Sequence, residues 1–267
     1  MYLAMDEIGF ENAEKIKTVD SEADRWRFIF NAAQNYGFEG VHFTPSLYKN
    51  FNLDLKNIPD YFHEFRLSLH FNGNPGITDS EYDIFDKEFE KMYEIALKHN
   101  MHDISIHPPP AYKISSEKDL AMDYLSKSIE KWLKKLKPNG ITLSLETHVA
   151  GDYFLIDGLH EYVKFTDKYP DLGVLIDISH NYYNPEYSEH DIVSILGNKN
   201  VKGLHISDAL RSAEFEKGTH LAIGEGEIKF PKLLKQFSEK SGIFGALEIK
   251  ATNDKIHKSL NYLKSLR

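Results

Sequence analysis

Residues 201–228, VKGLHISDALRSAEFEKGTHLAIGEGEI, open on a short β-branched and apolar run, VKGLHI, that breaks at Ser207-Asp208. A long polar loop follows, and Ile223-Gly224-Glu225-Gly226 leads towards the next helix. His205 and His220 stand in this stretch beside several carboxylates. His205 falls at the C-terminal end of an expected strand, the place where α/β barrels carry their chemistry. The pattern recurs along the chain: ISIH ends at His107, LSLETH carries Glu146, VLIDISH carries Asp177 and His180, and FGALEIK carries Glu248.

Working outward, apolar periodicity and turn residues predict strands over residues 2–8, 40–44, 66–71, 103–107, 141–146, 172–178, 201–206 and 245–249. Helices are predicted over 21–36, 79–99, 116–136, 159–169, 191–196, 230–239 and 254–266. Gly37 ends the first helix, NGNPG at 72–76 breaks the third strand, and three prolines at 108–110 stop the fourth. Ser115 or Ser116 is the expected cap of the helix that follows. The segment carrying Tyr48, Lys49 and Asn50 reads as a polar connection. The sixth strand is almost wholly apolar, as a parallel strand covered on both faces should be.

A length of 267 residues admits one barrel or two smaller domains. Eight strands alternating with helices, without an internal linker, predict a single (β/α)8 TIM barrel over residues 1–267. A doubly wound sheet would carry a Gly-rich phosphate loop after an early strand, and none is present. The net charge of -9 argues against a broad basic surface for nucleic acid, although a metal cluster with a few local cations can still hold phosphates. With no cysteine, disulfides and thiolate chemistry are excluded, and His and carboxylates remain as metal ligands. The opening MYLAMDEIGF is not a signal peptide, no apolar run approaches membrane-spanning length, and a cytoplasmic enzyme is expected.

In a barrel of this register, His70, His107, Glu146, Asp177, His205 and Glu248 would form a ring at one mouth. A lone strand-end histidine is more often a satisfied polar residue than a ligand, so His42, His63 and His102 receive no role. Convergence changes the reading, because like-placed buried groups would otherwise repel or remain unpaired. Oxygen and imidazole donors without sulfur suit a divalent ion such as Mn, Zn, Mg or Co.

With these motifs the chain resembles the xylose isomerase-like barrel superfamily, which includes sugar epimerases and the endonuclease IV branch of abasic-site nucleases. The resemblance covers nearly the full length. In the sugar enzymes it implies one divalent ion on Glu146, Asp177, His205 and Glu248, with the two glutamates also acting as acid/base pair. It further implies substrate contacts from His180, three residues after the Asp, and from Arg211, six residues after the metal His. The nuclease branch implies up to three ions, with His70, His107, His180 and His220 as added ligands. One aspartate of that cluster falls on Gly218, so either Glu216 compensates or one metal is missing, and Asn72-Gly73-Asn74 stands where those nucleases carry a tyrosine-bearing segment.

The preferred reading is a metal-dependent isomerase or epimerase of a sugar, sugar phosphate or polyol, working through an enediolate. A phosphorylated substrate would want cations nearby, and Arg211 and Lys250 are the obvious ones. Tyr48, Phe71, Tyr182 and Tyr183 could stack on a sugar face or simply pack. The alternative is an endonuclease IV-like phosphodiesterase acting on abasic DNA, the one reading with a nucleic-acid partner. A barrel reduced to a binding module ranks last. No membrane partner is expected, and a homo-oligomer stays open.

Overall fold

Eight short parallel strands pair in chain order, and the last returns to the first to close the sheet. In the computed structural model they are β1 (Tyr2–Met5), β2 (Gly40–Phe43), β3 (Arg66–Phe71), β4 (Asp103–Ile106), β5 (Thr142–Glu146), β6 (Gly173–Asp177), β7 (Val201–Ile206) and β8 (Phe244–Leu247). Around them run α1 (Phe10–Lys17), α2 (Glu22–Tyr36), α3 (Pro45–Asn50), α4 (Asp79–Lys98), α5 (Ser115–Leu136), α6 (Gly158–Thr166), α7 (Ile178–Tyr183), α8 (Glu189–Leu196), α9 (Phe215–Gly218), α10 (Phe230–Ser238) and α11 (Asn253–Ser265). The structure describes residues 1–6, 8–111, 115–148, 155–156, 158–184, 186–238, 240 and 242–266. The architecture is the expected single (β/α)8 barrel. Among the described residues no helix is long and apolar enough to cross a membrane.

The strands sort their side chains with a period of two. Leu3, Met5, Val41, Phe43, Leu67, Leu69, Ile104, Ile106, Leu204 and Ile206 point outward into the main core beneath the helices. Tyr2, Ala4, Leu175, Phe244 and Ala246 form a separate apolar cluster in the lumen. Glycine makes room for the rings there. A Cβ on Gly203 would lie 2.2 Å from the Phe244 ring, and one on Gly40 would lie 2.8 Å from that of Tyr2. The lower lumen is thus filled by side chains, as in other barrels of this kind. Carrying the same period upward puts Asp6, His70, Glu146, Asp177, His205 and Glu248 on the inward side at the upper ends.

Local rules set most of the boundaries. Ser21 Oγ accepts from the Asp24 N–H at 3.0 Å to start α2, and Gly37 ends it at φ 74°. Thr78 Oγ1 likewise accepts from Glu81 N–H to start α4. α1, α3, α7 and α9 were not expected as helices. They are short, and most are too brief to display a periodic apolar face. The cap of α5 and the expected end of α10 at Glu239 lie outside the described residues.

One ionisable group is trapped low in the lumen. Asp103 is buried at the start of β4, accepts from Ser144 Oγ at 2.5 Å, and is pushed by burial up to about 7. A carboxyl whose folded value is raised favours the native state only while protonated; that stability is complete below its ordinary 3.8 and is lost as pH climbs to about 7. Asp103→Asn should therefore leave the melting temperature unchanged near pH 4 and raise it progressively up to pH 8. Melting curves across that range check it, and a uniform loss at every pH would contradict it.

Candidate active site

β5, β6 and β7 end at the mouth, β8 stops one residue short of Glu248, and together they deliver the four residues that meet there. His205 Nδ1 lies 2.9 Å from Glu248 Oε2, 3.2 Å from Glu146 Oε1 and 3.9 Å from Asp177 Oδ2. One ligand atom from each of Glu146, Asp177, His205 and Glu248 falls within 4.8 Å of every other. Asp177 divides its oxygens between two tasks. Oδ1 caps α7 by accepting from His180 N–H at 2.8 Å and Ser179 Oγ at 3.0 Å, while Oδ2 turns to the site.

Histidines surround this centre. His70 Nε2 and His107 Nε2 lie 3.0 and 2.9 Å from Glu146 Oε2. On the other side, His180 Nδ1 is 3.2 Å from Asp177 Oδ2, and its Nε2 is 3.1 Å from His220 Nε2. His220 Nδ1 approaches Glu248 Oε1 at 3.8 Å. The added histidines thus divide into two groups, His70–His107–Glu146 and Asp177–His180–His220, each with donor atoms within 4.8 Å. Glu146 and Asp177 belong to the central group as well.

The loop of residues 207–228 is built to bring His220 in. Asp208 takes the Ala209 and Ile228 N–H groups on Oδ1 and the Gly224 N–H on Oδ2. Gly226 lies against that carboxylate, where a Cβ would be 2.4 Å from Oδ1. Gly224 has φ 93°, and His220 itself adopts φ 55°. Lys250 N–H donates to the His220 carbonyl at 3.0 Å and fixes it over β8. The GEG motif is therefore loop architecture, and its histidine is the part that faces the chemistry.

Electrostatics follow from burial. Burial alone would lower His205, but Glu146 and Glu248 outweigh it and hold the imidazole well above its ordinary value. Burial would raise Glu146 and Glu248, yet the neighbouring imidazoles, His205 first, keep both well below the usual carboxylate range. Burial lowers His70 and His180, whereas in His107 the attraction of Glu146 overcomes it. Oε2 of Glu146, Oδ2 of Asp177 and Oε2 of Glu248 are buried without an aligned hydrogen bond. Three carboxylates gathered on one imidazole nitrogen, with oxygens left over, are the donor set a divalent cation needs.

Above the centre opens a cavity of about 370 Å³. It is lined by His70, His107, Glu146, His148, His180, His220 and Glu248, and by Asp6, Thr44, Ser46, Asn50 and Asn72. Thr44 Oγ1 donates to Asp6 Oδ1 at 2.9 Å. Among the described residues no Lys or Arg lines it.

Several expectations change. Arg211 does not border the cavity: it donates to the Tyr182, Asn184 and Tyr187 carbonyls and covers the Tyr182 ring at 3.9 Å. Lys250 is exposed, and its backbone rather than its ammonium serves the site. Glu216 is exposed too, so it does not replace the aspartate absent at Gly218, where a Cβ would lie 2.6 Å from the Leu210 carbonyl oxygen. Tyr48 is buried on Trp26 at 5.7 Å, Phe71 packs on Phe85 and Phe89, and Tyr183 donates to the Ala213 carbonyl and packs on Phe215; these rings are structural.

Two histidines of the site were missed. His148, two residues after Glu146, stacks on His180 at 4.5 Å and is lowered to about 2 by burial and by His180. His42, passed over as a lone strand histidine, lies in the lumen against His205. Its inward register on β2, the same period that orients His70 on β3, was the signal available for it.

A family model described as a xylose isomerase-like TIM barrel matches residues 30–266. Among solved structures, D-psicose 3-epimerase with D-tagatose from Clostridium cellulolyticum H10 aligns with TM-score 0.75 and 14% identity over 100% of this chain and 99% of its own. The IOLI protein with a binding zinc atom aligns with TM-score 0.71 and 14% identity over 99% and 96%. An AP endonuclease, family 2, from Brucella melitensis aligns with TM-score 0.71 and 16% identity over 100% of both chains. No curated protein matches the sequence.

Charge linkage predicts how the metal-free protein responds to pH. Glu146 and Glu248, depressed in the fold, contribute stability above their ordinary 4.5 that is lost as pH falls through their lowered values. His205, raised, contributes stability below its ordinary 6.5 that is lost as pH rises through its elevated value. Chelated protein should therefore melt highest between those limbs. Added Mn or Zn should raise the melting temperature, by about 2.7 kcal/mol of stabilisation at a hundred times the dissociation constant. Thermal unfolding with and without chelator checks both, and an unchanged transition would count against an ion at this centre.

Proposed function

The chain belongs to the xylose isomerase-like TIM barrel family, and from that premise we propose a divalent-metal-dependent isomerase or epimerase of an unphosphorylated sugar or related polyol. One observation carries the reading: Glu146 and Glu248 both reach the His205-centred ligand group and both line the cavity, while Asp177 and His205 do not line it. Two carboxylates that share an ion and also face the substrate can act as acid and base on one carbon. When bound, the ion would polarise a carbonyl and its neighbouring hydroxyl and stabilise the charge that develops on them.

The chain's own groups supply the rest. Glu248, more open to the cavity than Glu146, takes the proton alpha to the carbonyl; the C–H electron pair becomes the enediolate double bond. Glu146 delivers a proton from the other side, drawn from His107 Nε2 at 2.9 Å from its Oε2. His70 fixes the direction of that oxygen, His107 regains its proton from solvent, and Glu248 releases its own there. His180 faces the cavity and offers a hydrogen bond to a substrate hydroxyl. Asp6, Thr44, Ser46, Asn50 and Asn72 line the same cavity and present acceptors and neutral donors. That set suits hydroxyls. Among the described residues no lining cation stands ready for a phosphate group, which favours an uncharged substrate there. For the same reason Arg211 and Lys250 are not assigned to substrate.

A second reading, an endonuclease IV-like phosphodiesterase, is favoured by the two histidine groups that share Glu146 and Asp177 with the centre. That arrangement suits up to three ions, which would activate water and neutralise a phosphate. The exposed Glu216, the glycine at 218 and the net charge of -9 weigh against it.

The readings separate by assay. Wild type should exchange the alpha proton of one ketose, aldose or inosose-like polyol with deuterated solvent and leave an abasic oligonucleotide intact. Glu248→Gln should keep a metal site, since the amide oxygen can still bind, yet lose about a hundredfold to ten-thousandfold in exchange rate. Cleavage of the oligonucleotide without exchange on any sugar would overturn the first reading in favour of the second.

A further inference from the structure

We propose that His42 is a positioning residue for the ion site, holding the Nε2 side of His205 so that Nδ1 stays aimed at the three carboxylates. The inference rests on the proposed ion site and is independent of the reaction. His42 is fully buried on β2, on the lumen side of the sheet. Its Nε2 lies 3.2 Å from His205 Nε2, and its Nδ1 lies 2.7 Å from Ser68 Oγ on β3. The rings meet edge to face at 5.2 Å, and His42 is further confined by the His70 ring at 5.6 Å and Phe244 at 4.9 Å.

The chemistry of the contact fixes the roles. Two imidazole nitrogens at hydrogen-bond distance need one proton between them. An ion on Nδ1 of His205 requires that nitrogen bare, which leaves the ring's proton on Nε2. His205 Nε2–H then donates to His42 Nε2, whose ring must carry its proton on Nδ1 and donate to Ser68 Oγ. Ser68 Oγ, 2.7 Å from His42 Nδ1, accepts that hydrogen bond and fixes the far end of the relay. Without His42 the Nε2 edge of a wholly buried ring would lose its partner, and His205 would be held only by its Nδ1 contacts to the carboxylates and by the His70 ring at 4.9 Å.

Three variants test this in the whole chain, with Co(II) as probe. His42→Phe retains the ring shape and removes both hydrogen bonds, His42→Gln retains a polar tip, and Ser68→Ala removes only the far partner. Val41→Ala, on the outward face of the same strand, controls for general loosening. His42→Phe should weaken Co(II) binding about ten- to a hundredfold, the usual cost of losing the partner of a ligating histidine, and shift the visible Co(II) absorption. His42→Gln should recover most of the affinity, Ser68→Ala should lose a few-fold, and Val41→Ala should bind as wild type does.

Wild-type affinity and spectrum in a folded His42→Phe would overturn the proposal, as would equal weakening in Val41→Ala. If His42→Phe does not fold, Ser68→Ala decides, and full affinity there overturns it. His42, His70 and His205 also bring nitrogens within 4.8 Å of one another, so an anomalous peak among those three would make His42 a ligand and overturn the positioning role. A wild type that takes up no Co(II) would instead sink the ion site, and this inference with it.

Discussion

Three carboxylates, Glu146, Asp177 and Glu248, are brought out of water around a single nitrogen of His205. In a low-dielectric mouth such charges repel, and one imidazolium cannot offset them all. The surroundings are consistent with that demand. Each carboxylate has its own imidazole neighbour: His70 and His107 for Glu146, His180 for Asp177, and His220 for Glu248. A cation at the centre would complete the compensation, and the unaligned oxygens indicate where it would be held.

The remainder of the fold can be read as support for that concentration of charge. The period of two along the strands sends one set of side chains to the helices and the other to the lumen, apolar low down and polar at the upper ends, so the strand-borne groups arrive on rigid elements. Where a ligand must come from a loop, the loop is tied down. Asp208 anchors residues 209, 224 and 228 through their N–H groups, and His220 is set against β8 by its own carbonyl. Asp177 combines both methods, ending a strand and capping the helix that begins there.

The barrel and the convergence of Glu146, Asp177, His205 and Glu248 were legible because long periodic segments and repeated strand ends survive in one dimension. β3 and β7 coincide with their expected spans, and the other strands differ by a few residues at their ends, where hydrogen bonding rather than apolar pattern decides. The short helices were not legible, since six residues such as those of α3 cannot display a period. Side-chain direction was the larger loss. Arg211 sits at the expected distance from His205 in the chain, yet three backbone carbonyls claim its guanidinium. Tyr48 looked like a mouth residue, but α3 turns it inward onto Trp26. His42 was discounted as solitary because its partners, Ser68 and His205, lie 26 and 163 positions away.

The glycines at 40 and 203 admit the rings of Tyr2 and Phe244 into the lower lumen, and those rings stopper it. Among the described residues the lumen is therefore closed below the site, which faces the cavity above it. Traffic through such a site has an order: what lies deepest must arrive first and depart last. An ion held by the group around His205 would lie beneath the cavity, so it would have to enter before a substrate did, and a bound substrate would block its exit. Saturating substrate would then slow demetallation without touching a single metal ligand.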